Sequence, residues 1–148
     1  MIHVQHVAKY FGQNVVLRDV QFSLAPGEFV GLVGTSGGGK SVLLKLLGKI
    51  FEPDAGKINY ETAHRGQKVL TTGFLFQEGA LFDSLTVLEN VAFPILSPDS
   101  GRVVEPKQAY AQAYEILGEV GLSNAYQKVP GQLSGGMRRR VALARALV

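Results

Sequence analysis

The segment from residue 34 to residue 41 constrains this chain more than any other part of it. It reads Gly-Thr-Ser-Gly-Gly-Gly-Lys-Ser and matches the pattern GxxxxGK[ST]. The continuous apolar run 29–33 comes before it and is typical of a strand buried on both faces of a parallel sheet. Apolar residues at helical spacing follow it, at Val42, Leu43, Leu46, Leu47 and Ile50. Strand, glycine loop and helix in this order predict an α/β fold with a phosphate-binding loop.

Each residue type in this phosphate loop has a chemical reason to be there. Glycines let backbone N–H groups approach phosphate oxygens, and the following helix presents its positive end to the same anion. Lys40 can reach the β- and γ-phosphates, and the Ser41 hydroxyl can ligate Mg²⁺. The alternative is a glycine-rich turn that happens to precede a lysine. We expect the nucleotide to be held by Gly34, Thr35, Ser36, Gly37, Gly38, Gly39, Lys40, Ser41 and Val42.

The rest of the chain interleaves strand and helix patterns. Strands are predicted near residues 2–6, 20–24, 57–60 and 69–76, and a short helix at 85–93. Residues 94–105 read as a loop. Pro106 suits the first turn of a helix that Gly121 could end, and Ser134 could cap a last helix running through Val148.

Composition excludes several classes of protein. The chain has 148 residues, 46% of them hydrophobic and 18% charged, so it can form a core and is not disordered. It has no cysteine, which rules out a disulfide framework. No apolar run approaches the roughly 20 residues that span a bilayer, and the N-terminus is no signal peptide. A role at a membrane would therefore come through a partner.

A second glycine motif lies near the end of the chain. It comprises Leu133, Ser134, Gly135, Gly136 and Met137. Alone it could be only a helix cap, but a serine and two glycine amides at a helix start also form an anion site.

With the phosphate loop before it and the arginine-containing segment 138–146 after it, this motif resembles the signature of ABC transporter ATP-binding subunits. The resemblance covers almost the whole chain. It implies a P-loop NTPase fold of the ABC type and an ATPase that uses ATP and Mg²⁺. It also implies one domain over 1–148 that is incomplete at its C-terminus. Residues 1–85 would form the nucleotide-binding core and 86–148 the helical subdomain with the signature.

The same resemblance assigns two further site residues. Phe11 falls where the family places an aromatic ring that stacks on adenine, although Tyr10 competes for this role and core packing is the alternative. Gln77 falls at the glutamine that contacts Mg²⁺ and senses the membrane subunits, and its alternative is an exposed strand end.

The family also implies partners. The signature would face the γ-phosphate held by a second subunit, so two chains would enclose two ATP molecules head to tail. An integral membrane permease would contact the region from Gln77 to Val87, with Leu81 and Phe82 either as anchors or buried in the chain's own core. Residues 76–94 and Met137 are similar to the Mla type, which traffics phospholipids with MCE-domain proteins. We therefore expect a location at the cytoplasmic face of the inner membrane.

Some residues that the family needs do not occur in these 148 residues. They are the Walker B aspartate, the catalytic glutamate and the switch histidine, since His3, His6 and His64 all precede the signature. No catalytic residue is assigned for this reason. The chain alone is expected to hydrolyse ATP poorly and to fold marginally, either as a fragment or as a natural truncation.

Other function classes have weaker support. A soluble ABC ATPase acting on nucleic acid predicts basic stripes, whereas Arg138, Arg139 and Arg140 point in three directions around a helix. A P-loop kinase or GTPase would not need the second glycine motif. A nucleotide-binding module without hydrolysis, and an ABC ATPase for another substrate, remain open alternatives.

Overall fold

The structure is a computed structural model that describes residues 1–61, 72–76, 79–97 and 103–148. It separates into two compact units, Met1–Leu70 and Thr71–Val148. This division by compactness falls earlier than the expected boundary near residue 85. The functional division into a nucleotide-binding core and a helical subdomain stays a prediction.

The first unit contains a three-stranded antiparallel sheet in the order β2-β1-β3. Its strands are β1 (Ile2–Phe11), β2 (Asn14–Leu24) and β3 (Ala55–Tyr60). Two residues connect β1 to β2, and Gly12 takes the left-handed φ of 60° that such a tight turn requires. The predicted strands at 2–6, 20–24 and 57–60 are thereby confirmed.

Helix α1 (Lys40–Leu47) shares the core of this unit with the sheet. Leu43 and Leu46 are buried with Val4, Val7 and Leu17 from the first two strands. Burial of these aliphatic side chains stabilises the helix, which is too short to persist in water alone. The predicted apolar face of the helix is confirmed, although the helix ends before Ile50.

The structure corrects the strand predicted at residues 29–33. These residues form no strand, and Phe29 and Val33 are about as exposed as in an open chain, at 101% and 95%. Within the described parts of the chain, the sheet consists of the three antiparallel strands alone. A strand needs a neighbouring strand to pair its backbone groups. An apolar run indicates that a segment could form a buried strand, but it does not provide the neighbouring strand. The parallel sheet inferred from this run is likewise not observed among the described residues.

The strand predicted at 69–76 is also not observed where it can be checked. Residues 72–76 have no regular secondary structure, and residues 69–71 lie outside the described ranges.

The second unit is a three-helix bundle of α2 (Val87–Leu96), α3 (Pro106–Glu119) and α4 (Gly135–Leu147), with two short 3-10 turns between the last two helices. Small residues on α3 and α4 let the helices approach closely around a branched aliphatic core. The buried core of this unit consists of Val87, Val91, Ala92, Ala113, Leu117, Leu122, Ala125, Leu133, Val141 and Ala144.

Each of the three helices has, at one end, a residue that suits that position. Thr86 and Glu89 form a capping box at the start of α2, and the hydrogen bonds that Glu89 accepts from Thr86 lower the pKa of its carboxyl. Gly121 follows α3 with a left-handed φ of 69°. The cap predicted at Ser134 is confirmed, because its Oγ accepts a hydrogen bond from the Met137 amide at 3.3 Å. No helix in the described ranges is long and apolar enough to cross a bilayer.

Candidate functional site

The phosphate loop leads directly into α1. Gly37 and Gly39 have left-handed φ angles of 79° and 81°, and Gly39 is the residue before the helix. The Gly38 amide donates to the Thr35 carbonyl at 3.2 Å, which closes the turn between them. Residues 34–38 and Ser41 are exposed. The loop therefore presents its backbone and the N-terminal end of α1 to a ligand.

Gly39 also fixes the loop against strand β2. A Cβ atom at this position would lie 2.7 Å from Leu17 Cδ2 and 2.9 Å from the Val16 carbonyl oxygen. Such distances leave no room for a side chain, so the glycine that the motif requires is needed for packing as well as for backbone conformation. The phosphate loop thus lies beside the hairpin that carries Phe11.

The Lys40 side chain folds back over its own loop. Its Nζ donates to the carbonyl oxygens of Gly34 at 2.9 Å and Thr35 at 2.6 Å. These bonds hold a positive charge at the mouth of the loop, where an anionic phosphate would be attracted to it.

The donor set fits Mg²⁺ in the way that nucleotide sites use it. Ser41 could supply one hard oxygen ligand from its exposed hydroxyl, and no cluster of three or more acidic, histidine or cysteine residues occurs in the described ranges. Mg²⁺ commonly takes one or two protein ligands and completes its shell with phosphate oxygens and water. Ser41 would hold the ion, and the ion would neutralise phosphate charge. Gln77, the other predicted ligand, lies outside the described residues.

The two candidate adenine-stacking residues are both accessible. Tyr10 and Phe11 are 43% and 45% exposed at the end of β1. The Phe11 ring packs edge-on against Phe51 with a centroid distance of 5.8 Å, and Lys9 and Lys45 lie over these two rings at 5.6 and 5.2 Å. Phe11 is therefore supported from one side while much of its surface remains available.

Asp54 holds the end of β1 in place. Its carboxylate accepts hydrogen bonds from the Tyr10 amide at 2.6 Å and from Lys9 Nζ at 3.0 Å. These two bonds, the backbone one first, lower the pKa of Asp54 below its usual value. Asp54 was not anticipated as a site residue, because a Pro-Asp-Ala-Gly sequence signals only a turn.

The second glycine motif forms the start of α4, as predicted. Leu133 is buried in the helical core, Met137 packs against that core, and Ser134, Gly135 and Gly136 are exposed. Arg138 Nη1 donates to the Leu133 carbonyl at 2.7 Å and so fastens the segment to the helix. The amides at the helix start are thus held in a defined position with free access from outside.

The arginine run is exposed, as expected, but two of its members bind backbone oxygens. Arg140 Nη1 donates to the carbonyls of Val120 at 2.9 Å and Gly121 at 3.4 Å, beyond the end of α3. A cation at this place also suits the negative end of the helix. Arg138 and Arg140 therefore both fasten backbone segments of the helical bundle, and the absence of a nucleic-acid partner stays a prediction.

The predicted permease-contact region divides between core and surface. Leu81 packs against the helical core, which is the alternative reading for this residue. Phe82 is 42% exposed and its ring lies 4.7 Å from that of Phe93, which is 43% exposed. Phe82 and Phe93 together form an accessible aromatic pair on this unit.

Two residues of this region were missed. Asn90 is completely buried and forms hydrogen bonds with Phe82, Leu85 and Thr86, and Arg145 donates to the carbonyls of Gly79 and Ala80. No local pattern identifies a residue that acts through loop carbonyls. The Thr86-x-x-Glu89 sequence could have located the start of α2.

Comparison with known proteins identifies relatives of this chain. The family model described as "ABC transporter" matches residues 17–148. The chain is 38% identical over 157 residues to the lipoprotein-releasing system ATP-binding protein LolD of Bacteroides fragilis, covering 100% of this chain and 71% of LolD.

Two further relatives are longer than this chain. Protein TRIGALACTOSYLDIACYLGLYCEROL 3, chloroplastic, of Arabidopsis thaliana is 37% identical over 155 residues, covering 100% of this chain and 44% of that protein. The sulfate/thiosulfate import ATP-binding protein CysA of Photorhabdus laumondii is 37% identical over 149 residues, covering 99% and 41%. The chain therefore spans less than half the length of these two relatives.

Solved structures give the same result. The dimeric structure of the ATP-binding cassette MJ0796 bound to ADP and Pi superposes with a TM-score of 0.82 at 31% identity, covering 99% of this chain and 69% of that one. A second dimeric structure of MJ0796, a bacterial ABC transporter cassette, gives 0.83 at 32% identity with the same coverage. The fold is that of an ABC-type P-loop NTPase, and the chain belongs to the ATP-binding domains of the ABC transporter family.

Proposed function

We propose that this chain is the ATP-binding part of an ABC transporter subunit that powers transport by binding and hydrolysing ATP with Mg²⁺. The observation that carries the proposal is the phosphate loop. Its left-handed glycines, the N-terminal end of α1 and the Lys40 ammonium converge on one exposed position. Phe11 would stack on the adenine, because it is exposed on the hairpin against which this loop packs.

The active form is proposed to be a head-to-tail homodimer that encloses two ATP molecules. The Ser134-capped start of α4 is an exposed anion site, and a phosphate bound at one chain's loop would be its ligand in the other chain. The solved neighbours with this fold are dimers, which supports the proposal.

The dimer gives a testable prediction. With Mg²⁺ and a non-hydrolysable ATP analogue, size-exclusion chromatography with light scattering is expected to show a dimer that ATP-free protein does not form. Ser134→Asp keeps a residue that caps helices well but places a negative charge against phosphate, so it is expected to abolish that dimer.

Asn124→Asp is the matched control, since it adds the same charge at an exposed position of the same unit and is expected to dimerise normally. A monomer under every nucleotide condition would count against the head-to-tail arrangement.

The partner is proposed to be an integral membrane permease that contacts the region from Gln77 to Val87 and covers the Phe82–Phe93 ring pair. Two adjoining aromatic rings, each more than two fifths exposed, are the kind of anchor that partner pockets cover. Such a contact would place the chain at the cytoplasmic face of the inner membrane. No nucleic-acid partner is proposed.

Charge at this ring pair is expected to release the permease. The measurement is the amount of integral membrane subunit that copurifies from membranes with the affinity-tagged ATP-binding subunit. Phe82→Asp is expected to lower this amount at least tenfold, because the variant would bury a carboxylate in an apolar contact. Tyr114→Asp is the control, as Tyr114 is a similarly exposed aromatic residue on α3. Equal recovery in both variants would contradict docking at Phe82.

The transported substrate is proposed to be a phospholipid. The named functions of these relatives, lipoprotein release and sulfate import, do not specify a phospholipid. The proposal therefore rests on the sequence of residues 76–94 and on Met137. In the tagged membrane complex, vesicles of phosphatidylglycerol and phosphatidylethanolamine are expected to stimulate ATP hydrolysis, whereas sulfate is not. Stimulation by sulfate alone would assign another ABC substrate class.

A further inference from the structure

Arg145 connects α4 to the loop before α2. It lies in the last turn of α4, and its Nη1 and Nη2 donate to the carbonyl oxygens of Ala80 and Gly79, each at 2.8 Å. Its Cζ also lies 5.9 Å from the centre of the Phe82 ring. One guanidinium therefore contacts three of the four residues 79–82, two through hydrogen bonds and one through a ring face.

The backbone that Arg145 holds is strained at Ala80. Gly79 and Ala80 have left-handed φ angles of 79° and 46°. An alanine in this conformation costs on the order of 1–2 kcal/mol, so it persists only where the surroundings determine it. The two successive left-handed residues direct both carbonyls to one guanidinium, and the charge-assisted bonds offset the strain.

The chain on either side of residues 77–78 also lies on α4. Gly79 is so close to the helix that a Cβ there would lie 3.4 Å from Ala142 Cβ. Earlier in the chain, Gly73 packs against the backbone of Ala146. Gly79 and Gly73 therefore both lie against α4, the helix that Ser134 caps.

We propose that Arg145 is a positioning residue whose guanidinium holds Gly79 and Ala80 on α4, so that the Phe82–Phe93 pair and the signature at Ser134 move as one body. The coupling of permease contact at Phe82 to ATP at Ser134 rests on the proposed function. The positioning itself rests only on contacts inside the second unit. Through this connection, a displacement of Phe82 by the membrane subunit reaches the residues that face ATP.

The geometry requires arginine and not merely a positive charge. Two donors from one planar group reach two carbonyls, whereas a lysine offers a single ammonium that cannot reproduce the fork. Burial lowers the pKa of Arg145 from its ordinary value, yet a guanidinium stays charged at neutral pH.

The test compares three variants of the complete subunit: Arg145→Gln, Arg145→Lys and the control Arg139→Gln. Arg139 is an exposed arginine on the same helix. The first measurement is the rate of amide hydrogen exchange at Phe82 and Gly79. The Phe82 amide donates to Asn90 Oδ1 at 2.8 Å, and the Gly79 amide donates to the Phe76 carbonyl at 2.9 Å. The second is ATP hydrolysis with and without the tagged membrane subunit in phospholipid vesicles.

Exchange at both amides is expected to accelerate about tenfold or more in Arg145→Gln, because two charge-assisted bonds are lost. In Arg145→Lys, exchange at both amides is expected to stay several-fold faster than in the parent protein. In Arg139→Gln, exchange is expected to be as slow as in the parent protein. Hydrolysis without the membrane subunit is expected to stay within about twofold in all three. The stimulation by that subunit is expected to fall severalfold in both Arg145 variants.

Unchanged exchange in Arg145→Gln would overturn the positioning role, as would full recovery of slow exchange in Arg145→Lys. Faster exchange with undiminished stimulation would retain the positioning but overturn the link to ATP hydrolysis. If the parent complex shows no stimulation and Phe82→Asp does not release the membrane subunit, the proposed permease contact has failed while the exchange result still stands.

Discussion

Replacing Lys40 with alanine is expected to weaken ATP binding by about 100-fold, because the variant loses the only side-chain cation within the phosphate loop. Each charge-assisted hydrogen bond to a phosphate contributes about 1.5–3 kcal/mol, and Lys40 can supply two or more donors. The bonds that it makes to the Gly34 and Thr35 carbonyls reduce the net gain, since they break when the ammonium turns to phosphate.

The measurement is isothermal titration of the subunit with ATP and Mg²⁺. Lys57→Ala is the control, because Lys57 is an exposed lysine on β3 of the same unit and is expected to leave the affinity within about twofold. Folding is checked by far-ultraviolet circular dichroism. An affinity that Lys40→Ala leaves unchanged would mean that the glycine motif binds no nucleotide phosphate, and the proposed function would fail with it.

The features that the sequence predicted are those that local chemistry determines. Serine is among the residues preferred directly before a helix, and Ser134 caps α4. Apolar residues at helical spacing pack against whatever lies beneath them, and Leu43 and Leu46 are buried against the sheet. Gly39 takes the left-handed φ that the motif alone predicts, and its close approach to Val16 adds a tertiary reason for glycine at the same position.

Where the sequence failed, the missing information was tertiary. Residues 29–33 have the composition of a buried strand, but composition does not provide a paired neighbour. No local pattern marks Arg145, because its role depends on contacts with Gly79 and Ala80, more than 60 positions earlier in the chain. Asn90 lies in an apolar stretch that signals only a helix, so its hydrogen-bonding role is visible only in the structure.

Replacing Asn90 with alanine is expected to lower the free energy of unfolding by about 3 kcal/mol, because several loop groups lose their partner at once. Asn90 Oδ1 accepts from the Phe82 amide at 2.8 Å. Its Nδ2 donates to the carbonyls of Phe82 at 3.0 Å, Leu85 at 3.1 Å and Thr86 at 3.0 Å. The side chain is 0% exposed, so water cannot readily replace these bonds.

Urea unfolding followed by circular dichroism measures this loss, with Asn124→Ala as a control that removes an exposed asparagine from the same unit at a cost below about 0.5 kcal/mol. Asn90→Asp separates the two halves of the interaction. It keeps an acceptor for the Phe82 amide but brings a carboxylate against three carbonyl oxygens, so it is expected to destabilise at least as much as alanine.

Equal stability of the Asn90 and Asn124 variants would show that the loop before α2 is held without the buried amide. The expected result would instead assign Asn90 and Arg145 complementary tasks. Asn90 binds the turn at residues 82–86 to α2, and Arg145 binds Gly79 and Ala80 to α4. The Phe82 ring lies between these two attachments, so its position is determined by both helices and by neither alone.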